Sequence, residues 1–207
     1  MAISVYGDIR QAVYDLLDIT GNDMSTAKVD LLIASAEDNI YREVRLRFME
    51  TVVSSTIAAG AVALPAGYIE LKEAYLDTSP AQPLQRKTAE WIYANYPTRS
   101  ADNAPRFIGR EGSNFIFGPY PDSNYLVRML CYAKPATQVG TSTTLTGVIA
   151  ASPYLLIFKS AAEVEPALGR EVRLPVWENK YKELKAKIMM EEEHEEFSGS
   201  PPVMHAS

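Results

Sequence analysis

The chain has 207 residues, 47% of them apolar and 22% charged, with a formal net charge of −6. This length sustains one full domain with its own core, or one domain carrying an insertion, and the composition is that of an ordinary globular protein. No apolar run approaches the ~18 residues needed to span a bilayer, Asp8 and Arg10 interrupt the stretch where a signal peptide would be apolar, and the single Cys131 excludes an intrachain disulfide and fits a reducing compartment.

The charge is local. Glu191, Glu192, Glu193, Glu195 and Glu196 stand together around His194, and without these five the net charge is −1. Broad attraction to DNA or to an anionic membrane is therefore not expected.

Val5, Ile9, Val13, Leu16 and Leu17 recur at three- and four-residue spacing, which predicts a first helix closed by Thr20-Gly21-Asn22. Ser25 or Thr26 caps a second helix reaching about Phe48, with Val29, Leu32, Ile33, Ala36, Ile40 and Val44 as its apolar stripe. Arg42, Arg45 and Arg47 fall in its last turns, where the helix dipole favours cations. From Thr51 the period becomes two. Residues 51–57 and 62–64 are expected to form a hairpin around Ala58-Ala59-Gly60-Ala61, followed by a strand over 68–76. Residues 87–96 read as a short helix, capped by Thr88 and stopped by Pro97.

Residues 105–121, PRFIGREGSNFIFGPYP, predict a second hairpin. Its strands, 106–110 and 114–117, flank the turn Glu111-Gly112-Ser113, and Gly118, Pro119 and Pro121 end the second strand. Residues 125–133 are apolar on both faces and read as a central, covered strand. Residues 135–151 have loop composition around Gly140-Thr141-Ser142-Thr143-Thr144, and loops of this length are usually functional or disordered. Ser152 and Pro153 open a helix running to about Ala167. Pro166 and Gly169 then force a bend or short loop. A last helix covers 177–196, starting near Glu171, and Gly199, Pro201 and Pro202 mark 198–207 as a tail.

Helices at both ends and strands between them predict an α+β protein. Residues 1–50 and 152–197 would form a helical bundle, and 51–134 an inserted, small antiparallel β-rich region with one short helix.

Catalytic patterns are absent from the sequence. His194 and His205 neighbour neither a nucleophile nor a second metal ligand, and no GxxxxGK[ST] loop occurs. Gly109, Gly112 and Gly118 lie in a hairpin rather than at a strand-to-helix turn, so they do not form a phosphate cradle. Cys131, mid-strand among apolar residues, reads as an inert core thiol. No cofactor and no metal are expected; the glutamate run reads as a solvated helix end rather than a divalent-cation site. It sits at the helix end that the dipole disfavours for anions.

The segments LPAGYIELKEAYLD at 64–77, PLQRKTAEWIYANYP at 83–97 and PRFIGREGSNFIFGPYP at 105–121, in that order, resemble the middle of tailed-bacteriophage head-to-tail adaptor (connector) proteins. The resemblance implies a structural, non-enzymatic subunit of the virion neck, made in the bacterial cytoplasm. It implies a homo-oligomeric, dodecameric ring that joins the portal protein to the tail or nozzle protein, with DNA only as cargo and no membrane. Under it, Ile188, Met189, Phe197, Val203 and Met204 are candidates for the portal side. Glu191, Glu192, Glu193, Glu195 and Glu196 become candidates for a channel lining that repels the DNA backbone. Thr141, Thr143 and Thr144 are candidates for a tail-facing loop. The alternative is a nucleic-acid or ligand binding module, in which the Tyr-rich sheet with Arg106, Arg110 and Arg128 stacks bases; the same residue types are also enriched in cores and subunit interfaces.

Overall fold

The computed structural model describes residues 3–100, 102–136 and 143–197, without the side chains of Val148, Glu195, Glu196 and Phe197. It is α+β, and the chain divides into two compact units, Met1–Phe48 with Ala136–Ser207, and Met49–Pro135.

In the first unit, α1 (Tyr6–Leu17) buries Tyr6, Ile9, Val13 and Leu17 on one face. Its N-terminus is held by Asp8, whose Oδ2 accepts from the Ser4 and Val5 amides at 2.9 and 3.1 Å. Helix α2 (Thr26–Glu43) buries Val29, Ile33, Ala36, Glu37, Ile40 and Tyr41. It ends at Glu43 rather than near Phe48, because Val44 is extended and Arg45 Nη1 donates to the carbonyls of Arg42 and Val44 at 3.0 and 2.7 Å. The arginine thus satisfies carbonyls that another helical turn would have used. A 3-10 turn, Arg47–Met49, follows.

Among its described residues the second unit holds eight strands in two sheets. These are β1 (Glu50–Thr56), β2 (Ala61–Ala63), β3 (Tyr68–Leu76), β4 (Gln82–Pro83), β5 (Gln85–Arg86), β6 (Phe107–Glu111), β7 (Asn114–Gly118) and β8 (Leu126–Ala133). One sheet has the order β1-β8-β3-β4 and the other β2-β7-β6-β5. The expected hairpin over 51–64 does not form. Ala59 (φ 50) and Gly60 (φ 69) carry the chain from one sheet to the other, so β1 pairs with β8 while β2 pairs with β7. The 105–121 hairpin does form, as β6 and β7 turning at Gly112 (φ +55). All pairs are antiparallel except β5 with β6.

Both sheets contribute to one core, in which Leu71, Leu76, Val127 and Met129 of the first meet Ile108, Phe115 and Phe117 of the second. Strand β8 is central, but it is covered on one face alone: Val127, Met129 and Cys131 are buried while Leu126 is 40% exposed. Its apolar residues on both faces had concealed that asymmetry. Helix α3 (Ala89–Asn95) is capped by Thr88 Oγ1, which accepts from the Trp91 amide at 3.2 Å. Ile92 lies over two glycines of the hairpin: a Cβ on Gly109 would sit 2.8 Å from Ile92 Cδ1, and one on Gly118 3.1 Å from Ile92 Cγ2. The glycines of the 105–121 segment let a helix approach the sheet closely.

The chain then returns to the first unit. The region read as a loop to 151 contains a short helix, α4 (Gly147–Ala151). Helix α5 (Pro153–Ala167) is central, packing against α1, α2, α4 and α6 (Leu174–Phe197). Its end explains Pro166 and Gly169. Gly169 (φ +72) donates to the Pro166 carbonyl and Arg170 to the Glu165 carbonyl, both at 3.0 Å, the paired bonds of a glycine-terminated helix.

Candidate interaction surface along helix α6

Helix α6 has 24 residues, about 36 Å at 1.5 Å per residue, and among its described residues the side chains buried in the bundle, Trp177 and Tyr181, lie in its first half. Trp177 stacks on Phe158 (6.3 Å between centroids, 15° between planes) and donates Nε1–H to Glu165 Oε1 at 3.3 Å. Glu165 is fully buried and is also paired with Arg173, 3.3 Å away.

One turn further on, Glu43 at the end of α2 gathers three donors from two helices. Tyr181 Oη donates to its Oε2 at 2.9 Å, Lys185 Nζ to the same oxygen at 2.8 Å, and Lys159 Nζ to Oε1 at 3.4 Å. Burial pushes the Glu43 carboxyl up, but the hydrogen bonds from Lys185 and Tyr181 and the two lysine charges outweigh it and hold the group below its usual range. Burial first, then the hydrogen bond to Glu43, pushes the Tyr181 phenol well above its ordinary value. Lys159 and Lys185 lie 5.0 and 5.7 Å from the Tyr181 ring centroid. The cluster pins α6 to α2 and α5.

Beyond Lys185 the helix opens to solvent. Ile188 is half-buried and lines a cleft of about 510 Å³ with Phe48, Gly147, Ala151, Leu184 and Glu192. Gly147 (φ +58) is required there, since a Cβ would lie 2.6 Å from Phe48 Cδ2. Met189 and Met190 are 42% and 70% exposed. The glutamates do not share one environment. Glu192 Oε2 accepts from the Arg47 amide at 3.3 Å, Glu191 lies 3.9 Å from Lys187, and Glu193 is exposed. Glu195, Glu196 and Phe197 belong to the last turns of α6.

Of the expected tail-facing residues, Thr143 and Thr144 are tied to the start of α1. The Thr143 carbonyl accepts from the Tyr6 amide at 2.9 Å, and Thr144 pairs with Val5. Thr141, Val203 and Met204 lie outside the described residues. Among the described residues no three of His, Cys, Asp and Glu gather as a metal site, and no helix is long and apolar enough to cross a membrane. Burial pushes the Cys131 thiol up to about 11.

The aromatic side chains of the β-rich unit are largely engaged with its own cations. The Arg99 guanidinium lies 5.6 and 5.0 Å from the Tyr93 and Tyr120 rings and donates to the Phe117 and Gly60 carbonyls. Arg110 lies 5.3 Å from the Tyr68 ring, and Arg128 pairs with Asp77. Sequence reading missed the Glu43 cluster altogether. Its one visible trace was that Tyr181 and Lys185 stand four apart, on one face of the last helix.

A helix fastened along its first half and carrying exposed methionines beyond it is a candidate surface for contact with another protein. The family model described as SU10 adaptor protein matches residues 5–203, and the chain belongs to that family. It is thus a structural phage adaptor of the virion, of a family that interacts with other phage head and tail proteins. No curated protein matches the chain.

Proposed function

We propose that the protein is a neck subunit whose copies form a ring, dodecameric by analogy with head-to-tail adaptors, joining the portal protein to the tail or nozzle protein around the DNA path. The observation that carries this reading is the contrast along α6. The helix is fastened at Trp177, Tyr181 and Lys185, and then presents Met189 and Met190 at 42% and 70% exposure. Exposed methionines on a rigid helix suit a packing surface for another protein, because the thioether side chain adapts to the surface it meets.

In this reading Ile188, Met189, Phe197, Val203 and Met204 face the portal. Glu191, Glu193, Glu195 and Glu196 face the channel, where like charge keeps the DNA backbone from adhering. Glu192 has a different duty, capping the Arg47 turn. The segment around Thr141 faces the tail, with Thr143 and Thr144 beside it.

A pull-down with the portal protein of the same phage tests the surface. The pair Met189→Asp and Met190→Asp should abolish binding while leaving the melting temperature unchanged; undiminished capture would refute the portal-facing assignment. Charge reversal of Glu191 and Glu193 should slow DNA ejection, and normal packaging and ejection would remove the channel assignment.

A further inference from the structure

The core of the β-rich unit reaches the surface at a pocket of about 270 Å³ between β3 and the β5–β6 pair. Leu71, Ile108 and Phe115, all buried members of that core, form its floor. Tyr68 forms one wall, edge-on to the Phe115 ring with 5.4 Å between centroids. The exposed Arg86, Lys87 and Arg110 form its rim.

Strand phase explains why cations border an apolar floor. Residues opposite one another in a ladder share a face of the sheet. Arg86 stands opposite Ile108, Ile108 opposite Phe117, and Arg110 opposite Phe115. Both arginines therefore lie on the face that Phe115 and Phe117 bury. They stay wet because β5 is an edge strand and Arg110 is next to the last residue of β6, so their stems cover apolar surface while the guanidinium groups reach water. The Lys87 amide donates to the Ile108 carbonyl at 2.9 Å and holds the third cation beside them.

Little in the chain neutralises these charges. Among the described residues one ion pair serves all three, Arg86 to Glu70 at 3.8 Å between exposed groups, a kind of pair that contributes little. Arg110 donates Nε–H to the Gly112 carbonyl and lies over the Tyr68 ring, and Lys87 lies 5.0 Å from the Trp91 ring centroid. Residues 49–135 hold eight acidic and eight basic side chains, so the excess of positive charge belongs to this pocket and not to the unit. A recess with walls of low dielectric and one sign of charge concentrates the field on an incoming anion.

We propose that the pocket binds the carboxylate of one aspartate or glutamate in an acidic peptide segment of a partner protein. The arginines suit the two carboxylate oxygens, and the floor takes the methylene stem and an apolar neighbour. The volume falls below the roughly 300–1,000 Å³ of sites that enclose a whole small molecule, which fits a single side chain. A DNA phosphate is the poorer match. It would meet the rim but bring nothing apolar to the floor, and the neutral unit offers its neighbours no wider positive surface. The site does not depend on the ring or on the α6 surface, and its failure would leave both standing.

Methyl NMR of the full chain, which reads a monomer and a ring alike, tests this with two capped tripeptides, acetyl-Leu-Glu-Leu-amide and its Gln isostere. The Glu peptide should shift the Ile108 Cδ1 methyl saturably, and the Gln peptide should bind roughly tenfold or more weakly, because its hydrogen bonds lack the charge. Arg110→Gln should weaken the Glu peptide by a similar factor. Arg128→Gln, whose guanidinium pairs with Asp77 on the other sheet, should not. Equal binding of the two peptides, no saturable shift, or undiminished binding by Arg110→Gln would overturn the proposal. So would a stronger response to inorganic phosphate or to a short DNA duplex at matched ionic strength, because the ligand would then be a phosphate. If Arg110→Gln fails to fold, the comparison of the two peptides decides alone.

Discussion

The Tyr181 hydroxyl donates a 2.9 Å hydrogen bond to Glu43 Oε2, which joins the last helix of the first unit to the end of its second helix, 138 residues earlier in the chain. Because Lys185 and Lys159 converge on the same carboxylate, the contact decides how firmly the first half of α6 is held, and so how rigidly its exposed half is presented. Tyr181→Phe removes one hydrogen bond to a charged acceptor in a half-buried setting. It should cost about 1–2 kcal/mol, read as a lower urea midpoint at unchanged slope. The exposed Glu183→Gln on the same helix should change neither.

The same cluster predicts a pH dependence with two limits. The folded-state value of Glu43 is lowered, so its stabilisation is present above the ordinary value of 4.5 and is lost as pH falls through the lower folded value. Tyr181 is raised, so its contribution is present below 10 and is lost as pH rises beyond that, through the higher folded value. Midpoints measured across pH should therefore fall at both ends for the wild type. Tyr181→Phe should make the alkaline limb shallower without removing it, because burial raises the Tyr6 and Tyr41 phenols as well, and an unaltered limb would show that Tyr181 does not contribute.

Close approach of Ile92 to the hairpin makes Gly109 a position for glycine alone. A methyl group there would lie 2.8 Å from both Ile92 Cδ1 and the Lys87 carbonyl oxygen. The side chain could turn aside but the carbonyl could not, so Gly109→Ala should destabilise by about 1–3 kcal/mol. Gly112→Ala meets open space and suffers from its φ of +55° alone, for a cost of about 1 kcal/mol. Gly21→Ala, unhindered on both counts, should be neutral. The order of the three melting temperatures checks the packing.

Cys131 is fully buried, and burial pushes its thiol up to about 11. A disulfide reagent at pH 8 should leave it unmodified in the native chain and react at once in denaturant. Rapid native labelling would mean that β8 opens far more readily than a central strand should.

Local signals in the sequence were reliable where the chain supplies its own partner. Thr88 announces α3 because its hydroxyl caps a backbone amide three residues away, and the Gly112 turn announces the β6–β7 hairpin. What stayed hidden depends on residues far apart. Nothing near Thr51 reveals that its strand pairs with Cys131 rather than with the apolar residues just after Gly60, because a short turn suits a hairpin and a sheet-to-sheet crossing equally well. Arg45 looked like a cation favoured by the helix dipole; it instead donates to the carbonyls of Arg42, in the last turn of α2, and of Val44, just past its end. The candidate surface was half legible. Met189 and the glutamates stand out by composition, but the Glu43 cluster that anchors them joins α2, α5 and α6, and no local pattern encodes it.

The ring is the central claim, and native mass spectrometry of the chain, alone and mixed with the portal protein of the same phage, tests it most directly. A closed ring-sized mass is expected, either alone or once the portal is added. A monomer that ignores the portal at every concentration would contradict it.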